Sequence, residues 1–346
     1  PATGEQSSKI KLASTKDVNQ AVDNAKKAFE PWANTPPLQR ARVMFKFKDL
    51  LEQNAEKICK LIGEEHGKIA HDAAGELQRG IENVEYACCA PELLKGEHSK
   101  NVAPGIDSWS EMQPLGVVAG ITPFNFPAMV PLWMYPMAIV CGNCFVLKPS
   151  ERDPSSTLYI AELLKEAGLP DGVMNVINGD KEAVDTLLHD DRVKAVSFVG
   201  STPIAEYIYS TSNSNGKRCQ ALGGAKNHAI VMPDADIDNA VAQLLGAAFG
   251  SSGERCMALS VAVTVGDDVA DVGGVARGGG DVAHVREQHG LLLGQLRVGH
   301  QPEALAQRDA RAAQSQELDE AKAKVELEKA QLGMLGREPA QPRSNW

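Results

Sequence analysis

The stretch LGVVAGITPFNFP, from Leu115 to Pro127, decides the fold of this chain. Its first half is a short run of small and branched apolar residues, which is typical of a strand buried on both faces. A turn rich in proline follows, and then the apolar run MVPLWMYPMAIVCG (residues 129–142), which is too short to span a membrane and indicates a buried helix. The order of strand, turn and helix predicts the first unit of a parallel α/β sheet.

The same alternation continues downstream. Strand-like runs NCFVLKPS, GVMNVING and KAVSFVGS are separated by helical runs SSTLYIAELLKEAG and KEAVDTLLHD and followed by PIAEYIYSTS. Right-handed crossovers place the carboxyl ends of parallel strands at one edge, where ligands bind. Asn125, Lys148, Gly200 and Ser201 each fall at or just after a strand end. We therefore predict a doubly wound, mostly parallel sheet over about residues 112–232, with these side chains along one edge.

The residues before this sheet have a helical pattern, from about Ser14 to Leu94. The run STKDVNQAVDNAKKAF opens with Ser and Thr capping candidates and spaces its apolar residues along one face. The run PPLQRARVMFKFKDLLEQNAEKICKLI begins with prolines, which suit the first turn of a helix, and carries a wide apolar stripe. Helices are therefore expected to precede the sheet.

Composition narrows the functional class. The chain has 346 residues and a formal net charge of −10, whereas a nucleic-acid-binding surface is basic. No membrane partner is expected, because no apolar run is long enough to span a bilayer. All seven cysteines lie at or before residue 256 and suggest no disulfide framework, so a reducing compartment is expected. This predicts a cytoplasmic location, or the mitochondrial matrix if the source is a eukaryote.

The composition changes near Asp267, after which no Ile, Phe, Tyr or Cys occurs up to Trp346. A segment so poor in large apolar residues buries little surface, which predicts a poorly ordered tail over residues 269–346. Its bias toward Ala, Gly, Arg, Val and Gln resembles that of a GC-rich gene read in another frame. A frameshift, a fusion to an unrelated segment and a genuine segment are the alternatives.

The stretch GSSGERCMALS, from Gly250 to Ser260, places a cysteine behind a small, flexible turn. A buried cysteine is usually an inert hydrophobe. Here, however, glycines let the backbone approach a ligand closely, and the neighbouring Arg255 favours the thiolate form of Cys256. The pattern favours a covalent nucleophile for a carbonyl carbon.

Two polar side chains at strand ends could serve such a nucleophile. Asn125 could be an ordinary loop asparagine, or its amide could donate to a developing oxyanion. Lys148, with Glu151 close behind, could be a solvated charge or could bind ribose hydroxyls at the ligand edge of the sheet. Both alternatives stay open on the residues alone.

Two further motifs carry weaker signals. The run FVGSTP (residues 198–203) predicts a strand, a glycine turn and a helix start, which would offer free N–H groups to a phosphate. The G-x-G-x-x-G fingerprint of dinucleotide sites is absent. Cys141 and Cys144 have the spacing of half a zinc site, but no second pair follows at zinc spacing. We therefore predict packed cysteines and no metal site.

Taken in order, the motifs TPFNFP, LKPSE, FVGST, LGGAKNH and GERCM resemble those of the aldehyde dehydrogenase superfamily. The segments RGIENVEYACCAPELLKGE, ITPFNFPAMVPLWM and GAKNHAIVMPDAD are most similar to its coenzyme A-acylating, methylmalonate-semialdehyde dehydrogenase branch. The resemblance covers roughly residues 1–268 and then stops. It starts within a stretch that lies inside the family's chain, so truncation at the N-terminus is expected.

The resemblance implies a role for several residues of the reaction. Cys256 would be the nucleophile, and Asn125 would form the oxyanion hole with the backbone N–H of Cys256. Arg79 and Arg255 match the pair that grips a substrate carboxylate, and charge-assisted bonds from two guanidinium groups would fix its orientation. Small semialdehyde acids are therefore the substrate class that is implied.

The resemblance also implies NAD as cofactor. Lysine and glutamate would hold the adenosine ribose, with an arginine beside them, while an aromatic side chain and a serine line the cleft and a glycine shapes the phosphate turn. These residues are Phe124, Lys148, Glu151, Arg152, Gly200 and Ser201.

Ala221, in QALGGAKNH, occupies the position where hydrolytic relatives carry a glutamate. Without that base, attack of water on a thioester should be slow, and a thiol is the better nucleophile. Coenzyme A is therefore the expected acyl acceptor. The implied function is oxidation of methylmalonate or malonate semialdehyde to propionyl- or acetyl-CoA, a step of valine catabolism.

Two other functions stay open. One is an inactive remnant that keeps at most nucleotide binding, and the other is a hydrolytic aldehyde dehydrogenase. The domains expected are an NAD-binding domain with N-terminal helices (1–232), the start of an incomplete catalytic domain (233–268) and an unassigned tail (269–346). The family implies a homo-oligomer, although its usual interface strand is not recognisable. The two semialdehydes differ by one methyl group, worth only about 1–3 kcal/mol of discrimination.

Overall fold

The structure is a computed structural model that describes residue 6, residues 9–265 and residues 297–300. It divides into two units. The first unit consists of the residues up to Ala225 and of Phe249–Cys256. The second unit consists of Lys226–Ala248 and of the residues from Met257 onward. The predicted tail over 269–346 lies outside the described residues except for one short strand, and the domain limits at 232 and 268 stay predictions.

The first unit opens with five helices, as predicted. They are α1 (Thr15–Ala33), α2 (Pro37–Gln53), α3 (Ala55–His66), α4 (Ala70–Cys88) and α5 (Ala90–Leu93). Ser14 caps α1 in a capping box with Asp17, which confirms the expected cap. The long apolar stripe from Pro36 is divided at Asn54, whose side chain donates to the carbonyl of Leu50 at 2.8 Å and ends the first helix.

A hairpin follows that the sequence pattern did not predict. It consists of β1 (His98–Ala103) and β2 (Ile106–Trp109), which pair antiparallel. Nearly all of their side chains are exposed, so the segment shows no apolar alternation from which strands could be recognised.

The main sheet then alternates strands with helices. Its elements are β3 (Val117–Ile121), α6 (Met129–Val140), β4 (Cys144–Lys148), α7 (Ser155–Glu166), β5 (Met174–Val176), α8 (Lys181–His189), β6 (Val193–Val199), α9 (Thr202–Ser214) and β7 (Arg218–Leu222). All neighbouring strands are parallel, in the order β5-β4-β3-β6-β7. The chain moves outward from β3 in one direction and returns past it to β6 and β7, so right-handed crossovers place helices on both faces. The predicted doubly wound sheet is thus confirmed.

The core lies between the sheet and the helices that precede it. Every residue of β3 and β4 is buried, which explains their uninterrupted apolar sequence. The ring of Tyr135 on α6 lies 6.3 Å from that of Phe47 and 6.1 Å from that of Phe145, so it joins the helical layer to the sheet. On α4, a Cβ at Gly80 would come within 2.5 Å of the Leu132 side chain. Glycine therefore lets α4 pack closely against α6.

The second unit contains a separate sheet. Its described elements are β8 (Asn227–Val231), α10 (Ile237–Phe249), β9 (Leu259–Thr264) and β10 (Arg297–His300). The three strands are parallel in the order β10-β9-β8. The prediction of one sheet up to residue 232 is therefore wrong for β8, because β7 ends at Leu222 before two glycines and β8 pairs with β9 instead.

None of the helices among the described residues has both the length and the apolar character required to cross a membrane.

Candidate active site

The predicted edge of the sheet is present. Because β3, β4 and β6 are adjacent and parallel, their carboxyl ends lie at the same edge. Ile121, the last residue of β3, is paired with Lys148 on one side and with Phe198 on the other. Asn125 follows β3 and Ser201 follows β6, so the structure confirms that these polar residues share one edge.

Lys148 and Glu151 form an ion pair at the end of β4. The Lys148 Nζ lies 3.0 Å from Glu151 Oε2, and Lys148 is only 7 % exposed. A lysine with so little exposure is held in one place by its partner. The pair therefore presents a fixed donor and a fixed acceptor at the edge, which suits ribose hydroxyl groups.

Phe124 is in contact with an imidazole and with a guanidinium group. Its ring is stacked on His66 at a centroid distance of 6.1 Å, and the Arg152 guanidinium lies 5.1 Å from its centroid. Burial lowers the pKa of His66 to about 4, and the nearby Lys68 lowers it further, so the imidazole is neutral at pH 7. Phe124 therefore contacts both a neutral ring and a cation.

Gly200 and Ser201 form the turn from β6 into α9. A Cβ at Gly200 would meet the Phe198 ring at 2.4 Å, so only glycine fits this turn without movement of the ring. Ser201 is the N-cap of α9 in an extended conformation, and its side chain makes no capping hydrogen bond. The first N–H groups of a 13-residue helix therefore start at the ligand edge, an arrangement that suits a phosphate.

A buried ion pair holds the loop that carries Asn125 (residues 122–128, hereafter the Asn125 loop). Lys68 Nζ donates to the Asn125 carbonyl oxygen at 2.6 Å and pairs with Glu76, and the side chains of this pair are fully buried. Glu76 Oε1 accepts from the N–H groups of Ala128 at 2.9 Å and Met129 at 3.2 Å. Burial lowers the pKa of Lys68, although the Glu76 carboxylate opposes this shift. The loop is thus held at its middle and at its C-terminal end.

The second loop of the site carries the cysteine (residues 250–256, hereafter the Cys256 loop). Asn125 Nδ2 donates to the carbonyl oxygen of Glu254 at 2.6 Å, which joins the two loops. Cys256 follows two residues later and is exposed. An amide nitrogen carries two N–H groups, so one remains to donate to another oxygen at this place.

The Cys256 loop has an unusual backbone. Ser251, Ser252 and Gly253 have successive φ angles of 54°, 57° and 75°. The left-handed region is unfavourable for residues with a Cβ, so this turn needs external support. Asp72 provides it by accepting from the N–H of Ser251 at 2.8 Å and from Arg255 Nη2 at 2.9 Å.

Arg79 lies on the same helix as Asp72. Seven residues separate the two positions on α4, which places them on one face about 10 Å apart along the axis. Arg79 is exposed, and Asp72 contacts Arg255. This placement favours the expected convergence of Arg79 and Arg255 near Cys256, which stays a prediction.

Ala221 lies in β7 opposite Phe198 of β6. It is half-buried and packs against the hydrophobic core. The position of the missing glutamate is therefore occupied by a small apolar side chain in a regular strand.

Cys141 and Cys144 pack within the fold, as predicted, whereas Cys89 is exposed. Cys144 is buried in β4, and Cys141 is half-buried at the end of α6. In the part of the chain that the structure describes, no group of three or more His, Cys, Asp or Glu side chains is arranged to hold a metal ion.

Three residues of the site were missed by the sequence reasoning. Lys68, Asp72 and Glu76 lie at the α3–α4 junction (residues 66–76), in a run that looks like an ordinary charged helix start. The only signal in the sequence was the glycine at position 67. In the structure it is the left-handed C-cap of α3, with φ of 88°, where the chain changes direction sharply.

Comparisons with known proteins identify a family for this chain. A profile of the aldehyde dehydrogenase family matches residues 1–272. Over 271 residues the chain is 70 % identical to the malonate-semialdehyde dehydrogenase of Pseudomonas aeruginosa, covering 78 % of this chain and 54 % of the relative. It is 54 % identical over 271 residues to malonate-semialdehyde dehydrogenase 1 of Geobacillus thermodenitrificans, covering 78 % and 56 %.

Two solved structures are similar as well. The crystal structure of methylmalonate-semialdehyde dehydrogenase from Oceanimonas doudoroffii has a TM-score of 0.77 and 78 % identity, covering 83 % of this chain and 57 % of that one. A Sinorhizobium meliloti protein provisionally named methylmalonate-semialdehyde dehydrogenase, complexed with NAD, has a TM-score of 0.79 and 53 % identity, covering 80 % and 57 %. The chain thus spans about half the length of the relatives that it matches.

Proposed function

The chain belongs to the aldehyde dehydrogenase family, and on this premise we propose that its site serves NAD-dependent oxidation of malonate or methylmalonate semialdehyde. The observation that carries the proposal is the hydrogen bond from Asn125 Nδ2 to the Glu254 carbonyl. It brings a rigidly held amide to the loop of the candidate nucleophile. The relatives named for these semialdehydes support the substrate class.

Cys256 begins the proposed reaction. Its thiolate attacks the aldehyde carbon and forms a C–S bond, while the carbonyl π electrons move to oxygen. The second N–H of Asn125 and the backbone N–H of Cys256 would donate to this oxyanion. Because Lys68 and Glu76 fix the Asn125 loop, this donor needs little reorganisation when charge develops.

The residues along the sheet edge fit a dinucleotide. The Lys148–Glu151 pair offers a donor and an acceptor for ribose hydroxyls, the start of α9 offers N–H groups for a phosphate, and Phe124 offers an apolar ring. NAD, when bound, accepts the hydride from the carbon attached to Cys256. The product on the protein is a thioacyl group on the same sulfur.

Release of that acyl group completes the proposal. The C–C bond to the free carboxylate of a methylmalonyl thioester would break and release carbon dioxide, which water converts to bicarbonate. The electron pair left on the α-carbon would take up a proton from water, which leaves a propionyl thioester on Cys256. Ala221 offers no carboxylate to activate water, which supports transfer to a thiol. The thiol of coenzyme A attacks the acyl carbon, and the Cys256 thiolate leaves.

Arg79 and Arg255 are proposed to grip the free carboxylate of the substrate. Replacement of either by Leu should raise KM for methylmalonate semialdehyde at least tenfold, because a charge-assisted bond is lost. KM for propanal should change by less than about twofold, because propanal has no carboxylate for these arginines to bind. Steady-state kinetics with both aldehydes measure the difference, and equal changes for the two would remove the assignment.

A second function is favoured by one observation, the exposure of Cys256. It is nucleotide binding without turnover. Hydride transfer requires close positioning, and a misplacement of about 1 Å can cost about 100-fold in rate. If this second function holds, we expect NAD binding through the sheet edge and little NADH formation.

The two functions are separated by one experiment on the unaltered chain. NAD binding is measured by calorimetry, and NADH formation is measured with methylmalonate semialdehyde in the presence and absence of coenzyme A. Cys256→Ser should abolish NADH formation and leave NAD binding, whereas Lys148→Met should weaken binding. Turnover that requires coenzyme A supports the enzyme, and binding alone supports the remnant. Sustained turnover without any thiol would instead indicate a hydrolytic enzyme.

A further inference from the structure

We propose that Asp72 is a positioning residue, whose carboxylate fixes the Cys256 loop and orients the guanidinium group of Arg255. The consequence of this orientation for substrate binding rests on the proposed function. The anchoring itself rests on contacts within one unit of the structure.

The two oxygens of Asp72 serve different parts of the loop. Oδ2 accepts from the N–H of Ser251 at 2.8 Å, and Oδ1 accepts from Arg255 Nη2 at 2.9 Å. The Asp72 side chain is only 13 % exposed, whereas that of Arg255 is 34 % exposed. Hydrogen bonds to an ionised carboxylate are stronger than those between neutral groups. One side chain therefore holds both ends of the turn before Cys256.

The backbone of the loop makes such an anchor necessary. Ser251 and Ser252 both have a positive φ, which is costly for residues that carry a Cβ. Ser251 is also 3 % exposed, so its N–H would be buried without an acceptor if Asp72 were absent. Ser252 adds a weaker contact from its hydroxyl to the carbonyl oxygen of Gly67 at 3.2 Å. The strained turn persists because the α3–α4 junction holds it.

The anchor also decides which edge of Arg255 faces a ligand. Nη2 is used by Asp72, and Nε lies 3.4 Å from the Ser251 hydroxyl. Within residues 9–265 the structure shows no hydrogen bond from Nη1, so this nitrogen is available to a carboxylate. Asp72 also offsets much of the charge of Arg255. An anionic substrate therefore needs a second cation. Arg79, about two turns further along the same face of α4, is the candidate.

Limited digestion with trypsin tests the anchor, because trypsin cleaves after Arg255 only when the loop opens and releases the arginine side chain. The variants are Asp72→Ala, which removes both acceptors, and Asp72→Asn, which keeps a neutral acceptor. His71→Ala, at an exposed neighbouring position on α4, is the matched control. Mass spectrometry gives the cleavage rate after Arg255 relative to all other sites.

We expect Asp72→Ala to raise the relative cleavage after Arg255 about tenfold or more, since a charged hydrogen bond and a buried acceptor are lost. Asp72→Asn should raise it about threefold on the same reasoning, and His71→Ala should leave it unchanged. Equal rates for Asp72→Ala and His71→Ala would overturn the proposal. A parallel rise at every site would also overturn it, because that result indicates general destabilisation.

Malonate, a dianion with the carboxylate of the proposed substrate, separates this inference from the proposed function. It should slow cleavage after Arg255 in the unaltered chain, and Asp72→Asn should weaken that protection. Absence of protection in the unaltered chain, with the order of the variants intact, would count against the proposed substrate and support the anchor. Full protection in Asp72→Asn would overturn the orienting role of Asp72.

Discussion

The Asn125 loop and the Cys256 loop are held by the same short part of the chain in opposite ways. The Asn125 loop is fixed by an ion pair whose two side chains are fully buried. The Cys256 loop has three successive positive φ angles, and its anchor, Asp72, is partly open to solvent. An oxyanion donor gains from a stationary position, whereas a nucleophile must be reached by its substrate. The difference indicates that a fully buried ion pair provides the rigidity of the first loop, whereas a partly buried carboxylate provides that of the second.

The largest effect is expected from breaking the buried anchor. Lys68→Met would leave the Glu76 carboxylate buried without a counter-charge, which should lower the free energy of unfolding by about 3–5 kcal/mol. Urea denaturation followed by circular dichroism measures the loss. Lys60→Met, at a pair whose side chains are 73 % and 59 % exposed, is the control and should change stability by less than about 0.5 kcal/mol. If the two variants lost equal stability, the buried pair would not be the anchor of the Asn125 loop.

The second largest effect is a pH dependence of stability that comes from Asp153, a buried carboxyl group near Lys68 and Glu76. Asp153 is 2 % exposed, and burial raises its pKa to about 8. The nearby Glu65 and Glu76 raise this pKa further, while the Ser150 hydroxyl and the Lys68 ammonium group lower it. The folded chain therefore keeps a proton that the unfolded chain loses above its ordinary pKa of 3.8. The free energy of unfolding should fall as pH rises from about 4 to about 8.

Asp153→Asn mimics the protonated side chain and should remove this contribution. Relative to the unaltered chain, the variant should gain about 2–3 kcal/mol of stability between about pH 5 and about pH 7, since each pH unit contributes about 1.4 kcal/mol. Urea midpoints at the two pH values give the comparison, and Asp171→Asn, at a side chain that is 85 % exposed, serves as control. An unchanged difference between the two pH values would show that Asp153 is ionised in the folded chain.

The smallest effect sharpens the description of the Cys256 loop. Ser252→Gly removes the Cβ from a residue with φ of 57° and should stabilise the loop by about 0.5–1 kcal/mol, reduced by loss of the bond to Gly67. Ser210→Gly, at an exposed position inside α9, should have the opposite sign and destabilise by about the same amount. Thermal unfolding and amide exchange measure both. A loss of stability at Ser252 would contradict the left-handed conformation.

The sequence predicted what local patterns determine. Asn125, Lys148 and Ser201 follow apolar strands directly, so the parallel topology alone places them at one edge. The predicted sheet up to residue 232 included the residues of β8. Their assignment to a separate sheet depends on pairing with β9, which no local pattern reports. The exposed hairpin of β1 and β2 gave no pattern at all.

The anchors of the two loops could not be predicted for a different reason. Lys68 and its partner Asn125 are 57 residues apart, and Asp72 and Arg255 are 183 residues apart. A lysine or aspartate on a helix is usually a solvated charge, and only the fold reveals that Lys68 is fully buried. The resemblance to a family implied the reacting residues, whereas the residues that hold them in place became visible only in the structure.

The number of residues between each anchor and its loop also sets the order in which these parts are synthesised on the ribosome. The α3–α4 junction is synthesised first, and Arg255 follows Asp72 by 183 residues. At a translation rate of about 5–20 residues per second, this separation corresponds to a delay of roughly 10–40 s. The buried pair can close on Asn125 early in this interval, since only 57 residues separate the contact. The thiol of Cys256, the proposed nucleophile, is therefore synthesised after all the residues that hold the Asn125 loop.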